Sequence, residues 1–385
     1  MSLQTPPPST ETPLSAMPAS TVASSLRLPT IAPTADPVLD AMVMQRMGPS
    51  GFSQHALGRL GTLVLQLARI QSSNPLHFDL LAFDSPQVVV FAGDHGIGDE
   101  GVSATPPGAT RQRVLQILRG QAPINTVAAM QGFDLTVVDA GMASHLSEGA
   151  DAVGATAVPL LLRKIAYGTR NMTMGPAMSV AQAASALHAG MDVMRHLPGN
   201  VVALGDVGVG NSSCAALLLS RLCDVPLAEA CGRGPTRADG MNITQAKTKL
   251  DVLFAAARRH REATSPLAAL AALGGFEIAM MAGAMLQAAS ERRVVLVDGF
   301  VAGSAALVAR GLSPAVTDYL VFAHRAAHPG HSLLLRHLQV RPLMDLALRL
   351  GQGVGALLAW PLLQTAQALL ESGGSGATDS GLGSL

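Results

Sequence analysis

The chain has 385 residues, of which 49% are hydrophobic and 14% are charged, enough apolar material to bury one large core or two modest ones. Its 26 basic and 26 acidic residues balance, which argues against nucleic acid or an anionic membrane surface as a partner. No uninterrupted apolar run is long enough to predict a membrane span, and Cys214, Cys223 and Cys231 show no CxxC spacing, which favours reduced thiols in a cytoplasmic protein.

The two ends of the chain differ in composition from the middle. Residues 1–35 are rich in Pro, Ser and Thr and predict a disordered leader. Residues 36–84 show helical periodicity, clearest in LGRLGTLVLQLARIQ, and predict a small helical cap. Residues 336–371, which include PLMDLALRL, predict further helices, and residues 372–385 predict a flexible tail.

Residues 85–335 alternate short apolar runs with helical segments. The apolar runs cover residues 87–92, 135–139, 158–162, 201–204, 294–298 and 319–323. Most are continuously apolar rather than alternating, which is typical of strands buried on both faces. The pattern therefore predicts an α/β fold in which a parallel sheet is flanked by helices. Ligands of such sheets bind at the carboxyl ends of the strands.

A glycine-rich turn joins a predicted strand to a predicted helix within residues 201–219. Gly208 and Gly210 precede Asn211 and Ser212, which open an Ala/Leu-rich helical segment. Glycines let the backbone approach a ligand, and the free N–H groups of a first helical turn form an anion site suited to a phosphate. The alternative is a tight structural turn with Asn211 or Ser212 as the N-cap.

Two further stretches carry clustered polar side chains. Residues 91–112 follow a predicted strand and hold Asp94 and His95, which predict a loop placed for chemistry, with a metal site or a purely structural loop as alternatives. His324, His328 and His331 suggest zinc, but Pro329 and Gly330 interrupt the helix that such ligands would share. A loop whose histidines cap, hydrogen-bond or line a pocket is the preferred interpretation.

The stretch LGQGVGALL, residues 350–358, places Gln352 between Gly351 and Gly353. Glycines on both sides indicate a side chain presented into a cavity with backbone packed closely around it. The alternative is a simple turn between two helices.

These stretches belong to an ordered set of motifs that includes GDHGIGDEGVSATP, GTRNMTMGPAMS, LGDVGVGNSS, GGFEIAMMAGAML, VDGF and PLMDLALRLGQGVGALLAWPLL. The set resembles the nicotinate-nucleotide:dimethylbenzimidazole phosphoribosyltransferase family. The resemblance implies a Rossmann-like α/β domain, a small helical domain built from both chain ends, and a homodimer. It also implies transfer of phosphoribose from nicotinate mononucleotide to 5,6-dimethylbenzimidazole, giving alpha-ribazole 5'-phosphate and nicotinate for cobalamin assembly, with no cofactor or metal.

The resemblance also implies binding roles for individual residues. The nucleotide phosphate is assigned to Gly208, Gly210, Asn211, Ser212 and Lys247. The other assigned positions are Asp298 for the ribose, Ser103 and Gln112 for the benzimidazole pocket, and Gly351 and Gly353 beside the general base.

The chain departs from the family pattern on the side of the acceptor base. Gln352 stands where the family has its general-base glutamate, and Asp206 stands where it has a second glutamate. Thr105 and Ala326 replace a usual aromatic residue and a usual serine. Because a neutral amide cannot take up the acceptor's proton at pH 7, Asp206 or water is expected to replace it as the base. The alternatives are transfer to a different base or phenolic acceptor, or a catalytically weak nucleotide-binding homologue or partner subunit.

Overall fold

The computed structural model describes residues 26–48, 54–73, 80–106, 108–146, 158–232 and 242–375. Within them, six parallel strands form one sheet in the order β3-β2-β1-β4-β5-β6. The strands are β1 Gln87–Gly93, β2 Asp134–Gly141, β3 Leu160–Leu162, β4 Val201–Val207, β5 Val294–Val297 and β6 Leu320–Phe322. Each coincides with one of the predicted apolar runs, so the predicted parallel α/β fold is confirmed.

The side on which successive strands are added to the sheet switches between β1 and β4. From β1 the chain adds β2 and β3 on one side, and it then returns to build β4, β5 and β6 on the other. Every residue of β1 is buried, as the continuous apolar pattern predicts for a central strand covered on both faces. The crevice at this point is the usual ligand site of open α/β sheets.

Helices connect and cover the strands. In chain order they are α1 Pro37–Met47, α2 Gln54–Leu57, α3 Arg59–Gln71, α4 Ala109–Leu118, α5 Pro123–Gln131, α6 Val180–His196, α7 Asn211–Cys223, α8 Leu227–Cys231, α9 Ile243–Arg259, α10 Pro266–Leu273, α11 Phe276–Ser290, α12 Phe300–Leu312, α13 Pro329–His337, α14 Val354–Leu358 and α15 Trp360–Ser375. Short 3₁₀ turns cover Gly96–Glu100 and Pro314–Tyr319.

Helix α11 is the central helix of the core, buried along all but its last residue. It packs against α6 so closely that a side chain on Gly190 or Gly283 would overlap the backbone of the other helix. An all-round apolar sequence is expected for a helix in this position. The same helix carries a buried carboxylate, Glu277, towards the ends of the central strands.

Helices from the two chain ends pack together, because α15 contacts both α1 and α3. The ring centroid of Trp360, at the start of α15, lies 5.0 Å from that of Phe83 in a tilted contact and 5.0 Å from that of Phe133 in an edge-on contact. These contacts join the helices of the two chain ends and pack Trp360 against the residue before β2.

The predicted disordered leader, residues 1–35, extends too far, because its last ten residues are packed against the protein. Residues 1–25 lie outside the described part, but residues 26–35 dock against the 3₁₀ turn before β6. Ile31 and Thr34 are buried, the hydroxyl of Tyr319 donates to the carbonyl of Ala32 at 2.8 Å, and the amide of Thr34 donates to Asp318 at 3.0 Å. At the other end α15 continues to Ser375, so the predicted tail also begins too early, and residues 376–385 lie outside the described part.

The predicted helix over PLMDLALRL is wrong. This segment is extended and hydrogen-bonds to the chain around the end of β6 instead of to itself. The amides of Leu343 and Met344 donate to the carbonyls of Phe322 and Ala323, at 2.9 and 3.0 Å. Unpaired backbone groups beside β6 thus gain partners that an isolated helix would not supply.

None of the helices in the described ranges is long and apolar enough to cross a membrane.

Candidate active site

A cavity of about 480 Å³ opens at the carboxyl ends of β4 and β5, beside the loop that follows β1. Nine of the sequence-predicted site residues line it: Ser103, Asp206, Gly208, Gly210, Asn211, Ser212, Asp298, Gly351 and Gln352. The glycine turn, the VDGF segment and the LGQG segment, which are far apart in sequence, therefore share one site.

The glycine turn lies between the end of β4 and the start of α7. Gly210 has φ +91° and forms the N-cap of α7, a left-handed conformation that suits glycine. A side chain on Gly208 would come within 2.5 Å of the carbonyl oxygen of Gly93, so the two strand ends touch through backbone. Asn211 and Ser212, in the first turn of α7, line the cavity. A helix N-terminus open to a cavity is an anion site.

Asp206 lies at the end of β4 and contributes its carboxyl group to the cavity wall. The side-chain Nδ2 of Asn211 donates to Oδ2 of Asp206 at 2.7 Å. Burial, followed by the negative charges of Asp298 and Glu277, raises the pKa of Asp206 to about 8, whereas the His95 charge and the Asn211 hydrogen bond oppose the rise. A carboxyl group with a pKa near the working pH can both take up and release a proton.

Gln352 lies beside Asp206, in a loop with unusual backbone geometry. Gly351, Gln352 and Gly353 have φ values of +63°, +63° and +89°. The amide of Gln352 donates to the carbonyl oxygen of Asp206 at 3.2 Å. Its side-chain Oε1 is buried and has no hydrogen-bond partner among the described residues. The prediction of a side chain presented at a cavity between two glycines agrees with this geometry.

Asp298 follows β5 and is only 2% exposed. Its Oδ2 accepts from the amide of Gly353 at 3.0 Å, and its Oδ1 accepts from the amide of Ala356 at 3.0 Å. His324, at the end of β6, places Nε2 at 3.1 Å from the same Oδ1. Both carboxylate oxygens therefore already have partners within the chain.

A buried ion pair lies behind the glycine turn. His95 Nε2 is 2.7 Å from Glu277 Oε1, and neither side chain is exposed to solvent. His95 Nδ1 lies 3.1 Å from the Sγ of Cys214, in the first turns of α7. Burial by itself lowers the pKa of His95, but Cys214 and Glu277 outweigh it and raise that pKa well above its usual value. The pair thus places a charged histidine and its counter-ion beneath the cavity.

Comparison with known proteins shows the same architecture and motifs elsewhere. A family model described as phosphoribosyltransferase matches residues 32–377. The nicotinate-nucleotide–dimethylbenzimidazole phosphoribosyltransferase of Variovorax paradoxus is 42% identical over 90% of this chain and 95% of its own length. The chain belongs to this family. The enzyme of the same name from Cupriavidus taiwanensis is 44% identical over 93% of this chain and 98% of its own length.

Solved structures of the phosphoribosyltransferase family share the fold. The nicotinate-nucleotide–dimethylbenzimidazole phosphoribosyltransferase of Thermus thermophilus is 34% identical and superposes with a TM-score of 0.78, covering 88% of this chain and 96% of that one. The crystal structure titled CobT from the same organism gives 35% identity and a TM-score of 0.79, covering 87% and 96%.

Three residues assigned from the family motifs do not line the cavity, and one of them, Gly353, is buried at the N-cap of α14. Lys247 is exposed on α9, and Gln112 is exposed on α4; the cavity is lined instead by Lys249 and Arg113. The helical periodicity of α9 could have shown which of its two lysines faces the cavity. Lys249 precedes the buried Leu253 by four residues and so lies on the core-facing side of α9, whereas Lys247 does not.

The polar loop after β1 makes internal contacts in this phosphoribosyltransferase. Asp94 accepts from the hydroxyl of Thr110 at 2.5 Å and from the amide of Ala143 at 2.9 Å. Glu100 accepts from the side chains of Asn171 and Thr173 at 2.6 and 2.9 Å. Both carboxylates bind neighbouring segments of the chain. For Asp94 and Glu100 this favours the alternative of a purely structural loop.

The three histidines after β6 cap and hydrogen-bond, as the preferred interpretation predicted. His328 is the N-cap of α13 and stacks on Phe300 at 4.2 Å. His331 accepts from the amide of Ala326 at 3.0 Å. Burial, reinforced by the nearby His324, lowers the pKa of His331 to about 3, so it is neutral. Across the described ranges, no group of histidine, cysteine and carboxylate side chains is arranged to hold a metal ion.

Proposed function

We propose that this protein transfers the phosphoribosyl group of nicotinate mononucleotide to a ring nitrogen of 5,6-dimethylbenzimidazole. The products are alpha-ribazole 5'-phosphate and nicotinate, as expected for cobalamin nucleotide loop assembly. The observation that carries the proposal is one cavity lined by the N-terminal turn of α7, by the carboxyl residue Asp206 and by Gln352. The names of the relatives at 42% and 44% identity agree with it.

The phosphate is proposed to bind at the glycine turn. Gly208, Gly210, Asn211 and Ser212 line the cavity where α7 begins, and the helix dipole favours an anion there. Lys249 lines the same cavity and supplies a positive charge. Backbone amides and one lysine suit a phosphate monoester, which needs both hydrogen-bond donors and charge compensation.

Asp206 is proposed as the base. As the acceptor's ring nitrogen attacks the anomeric carbon, the bond to nicotinate breaks and its electron pair leaves with nicotinate. The acceptor then loses its N–H proton, which Asp206 takes up directly or through water. Because the pKa of Asp206 is raised to about 8, it is a stronger base than an ordinary carboxylate.

Gln352 is proposed to orient the acceptor rather than to take its proton. Its amide stays neutral, so it can position the acceptor beside Asp206 but cannot hold the acceptor's proton. Ser103 lines the same cavity and is assigned to the acceptor pocket.

The decisive experiment is turnover by the purified protein. Nicotinate mononucleotide and 5,6-dimethylbenzimidazole should yield nicotinate and alpha-ribazole 5'-phosphate in equal amounts, measured by chromatography. Benzimidazole, adenine and a phenol serve as competing acceptors, and dimethylbenzimidazole should give the highest kcat/KM. Absence of product with every acceptor would contradict the proposal.

We further propose that the protein is a cytoplasmic homodimer. All three cysteines are described, and none forms a disulfide, which agrees with a reducing compartment. Sedimentation equilibrium should give twice the mass of the 39.5 kDa chain at micromolar concentration.

A further inference from the structure

We infer that Asp298 and His324 are positioning residues that hold the Gln352 loop, residues 351–356, against the ends of β4 and β5. Asp298 is thus assigned to the acceptor side of the reaction, through Gln352, and not to the ribose. The catalytic consequence rests on the proposed function. The structural consequence does not.

Asp298 caps a helix to which it does not belong. Helix α14 begins at Val354, and its N-cap is Gly353, which has no side chain to satisfy the first helical amides. Asp298, which follows β5, accepts from the amides of Gly353 and Ala356, at 3.0 Å each. A side chain usually makes such bonds from the N-cap position itself. Here the cap comes from 55 residues earlier and ties the helix to the sheet.

His324 completes the attachment from the next strand. Its Nε2 lies 3.1 Å from Asp298 Oδ1, the oxygen that also accepts from Ala356. The histidine therefore fixes the orientation of the carboxylate. Both side chains are buried, so water does not compete for these hydrogen bonds.

Two glycines allow the loop to come this close. A methyl group on Gly355 would overlap the ring of His324 and lie 2.7 Å from Asp298 Oδ1. A methyl group on Gly205 of β4 would overlap the backbone of Gln352 and Gly353. The loop therefore packs directly against the backbone of β4 on one side and against the Asp298 and His324 side chains on the other.

This attachment explains how Gln352 keeps its conformation. Gln352 has φ +63°, between two glycines that are also left-handed, and a non-glycine residue adopts that region only when its surroundings impose it. The hydrogen bonds of Asp298 lie immediately after it. If they are lost, residues 351–353 can return to ordinary backbone angles, and the Gln352 side chain then leaves its place in the cavity wall.

Hydrogen–deuterium exchange tests whether Asp298 and His324 hold the Gln352 loop in place, and it needs no assay of turnover. Asp298→Asn places an NH2 group against a backbone donor, so amides of residues 351–357 should exchange at least about tenfold faster than in the wild type. The matched control is Asp139→Asn. Asp139 is a buried carboxylate at the end of β2 that accepts from the amide of Met142 at 2.9 Å, away from the cavity. It should leave exchange in residues 351–357 unchanged.

Gly355→Ala provides a second variant in case Asp298→Asn does not fold. It keeps both positioning residues and displaces them, so the same segment should lose protection. Unchanged protection of residues 351–357 in a folded variant of either kind would overturn the inference.

Kinetics then separate a positioning role from a ribose contact. A positioning role predicts that Asp298→Asn leaves the affinity for nicotinate mononucleotide unchanged in calorimetry, lowers kcat and raises KM for the acceptor. At about pH 10, where Asp206 is ionised with or without the Asp298 charge, its effect should largely disappear in a Gln352→Ala background, because the two changes then remove the same interaction. A fall in nucleotide affinity, or additive effects in the double variant, would overturn it. If the wild type shows no turnover, the proposed function fails, and the exchange result still decides the structural inference.

Discussion

The backbone amide of Gln352 donates a hydrogen bond to the carbonyl oxygen of Asp206 at 3.2 Å. These are the two positions at which the resemblance to the family predicts a glutamate. One replacement removes the carboxylate, and the other keeps it one methylene shorter. Because the two residues are joined through their backbones, their side chains enter the cavity from fixed points, and their roles can be separated by substitution.

Asp206→Asn should reduce kcat/KM with dimethylbenzimidazole by about 10²-fold to 10⁴-fold, the usual contribution of a positioned base. Gln352→Glu should change it by less than about tenfold, because a second carboxylate beside Asp206 adds like-charge repulsion. Both are measured at saturating nucleotide. A large gain in Gln352→Glu, or full activity in Asp206→Asn, would show that the base is not Asp206.

The pH dependence follows from the raised pKa of about 8 at Asp206. Below that pH most of the carboxyl group is protonated and cannot accept a proton, so kcat/KM should rise about tenfold from pH 7 to pH 9 and then level off. Burial has the largest effect on this pKa, and Asp298, Glu277, His95 and Asn211 are the neighbouring groups that modify it. In Asp206→Asn the residual activity should lack this rise. A flat wild-type profile across the range would rule out titration of Asp206 as the controlling step.

Lys249→Met should weaken the binding of nicotinate mononucleotide by about tenfold or more, because it removes the positive charge that α9 contributes to the cavity wall. Lys247→Met is the matched control, two residues earlier on the same helix and exposed away from the cavity. Its affinity in calorimetry should equal that of the wild type. The reverse result would favour the lysine that the family motif assigned.

Glu277→Gln should lower the free energy of unfolding by about 3–5 kcal/mol, because it leaves His95 buried without its counter-ion. The pKa of His95 is raised, so the pair stabilises the fold below the ordinary histidine pKa, and this contribution is lost as pH rises through the raised value. The gap between wild type and variant should therefore narrow at alkaline pH. Glu262→Gln, at an 88% exposed carboxylate, should change the free energy by less than about 0.5 kcal/mol. Urea unfolding followed by circular dichroism measures both.

Deletion of residues 1–35 should lower Tm by at least about 5 °C relative to deletion of residues 1–25. The longer deletion exposes the site of the buried Ile31 and removes the hydrogen bond from Tyr319 to Ala32. Equal melting temperatures for the two deletions would show that residues 26–35 contribute nothing to stability.

The sequence by itself determined the sheet and the glycine turn. Continuous apolar runs such as residues 201–204 can be satisfied only by burial on both faces, and the helical segments between them force a parallel arrangement. The turn at Gly208 and Gly210 could also be predicted, because a strand, glycines and a helix follow one another directly in the sequence. Such signals depend on residues close together in the chain.

Tertiary structure alone decided the rest of the site. PLMDLALRL has a helical pattern, yet it is extended because the chain beside β6 offers its backbone better partners. His95 and Glu277 are separated by 182 residues, and Asp298 caps a helix 55 residues away. No local pattern predicts such pairs, since they depend on how strand ends and helices approach one another in space. The sequence alone therefore indicated which segments meet at the cavity, and only packing showed which side chains face it and which hold the others in place.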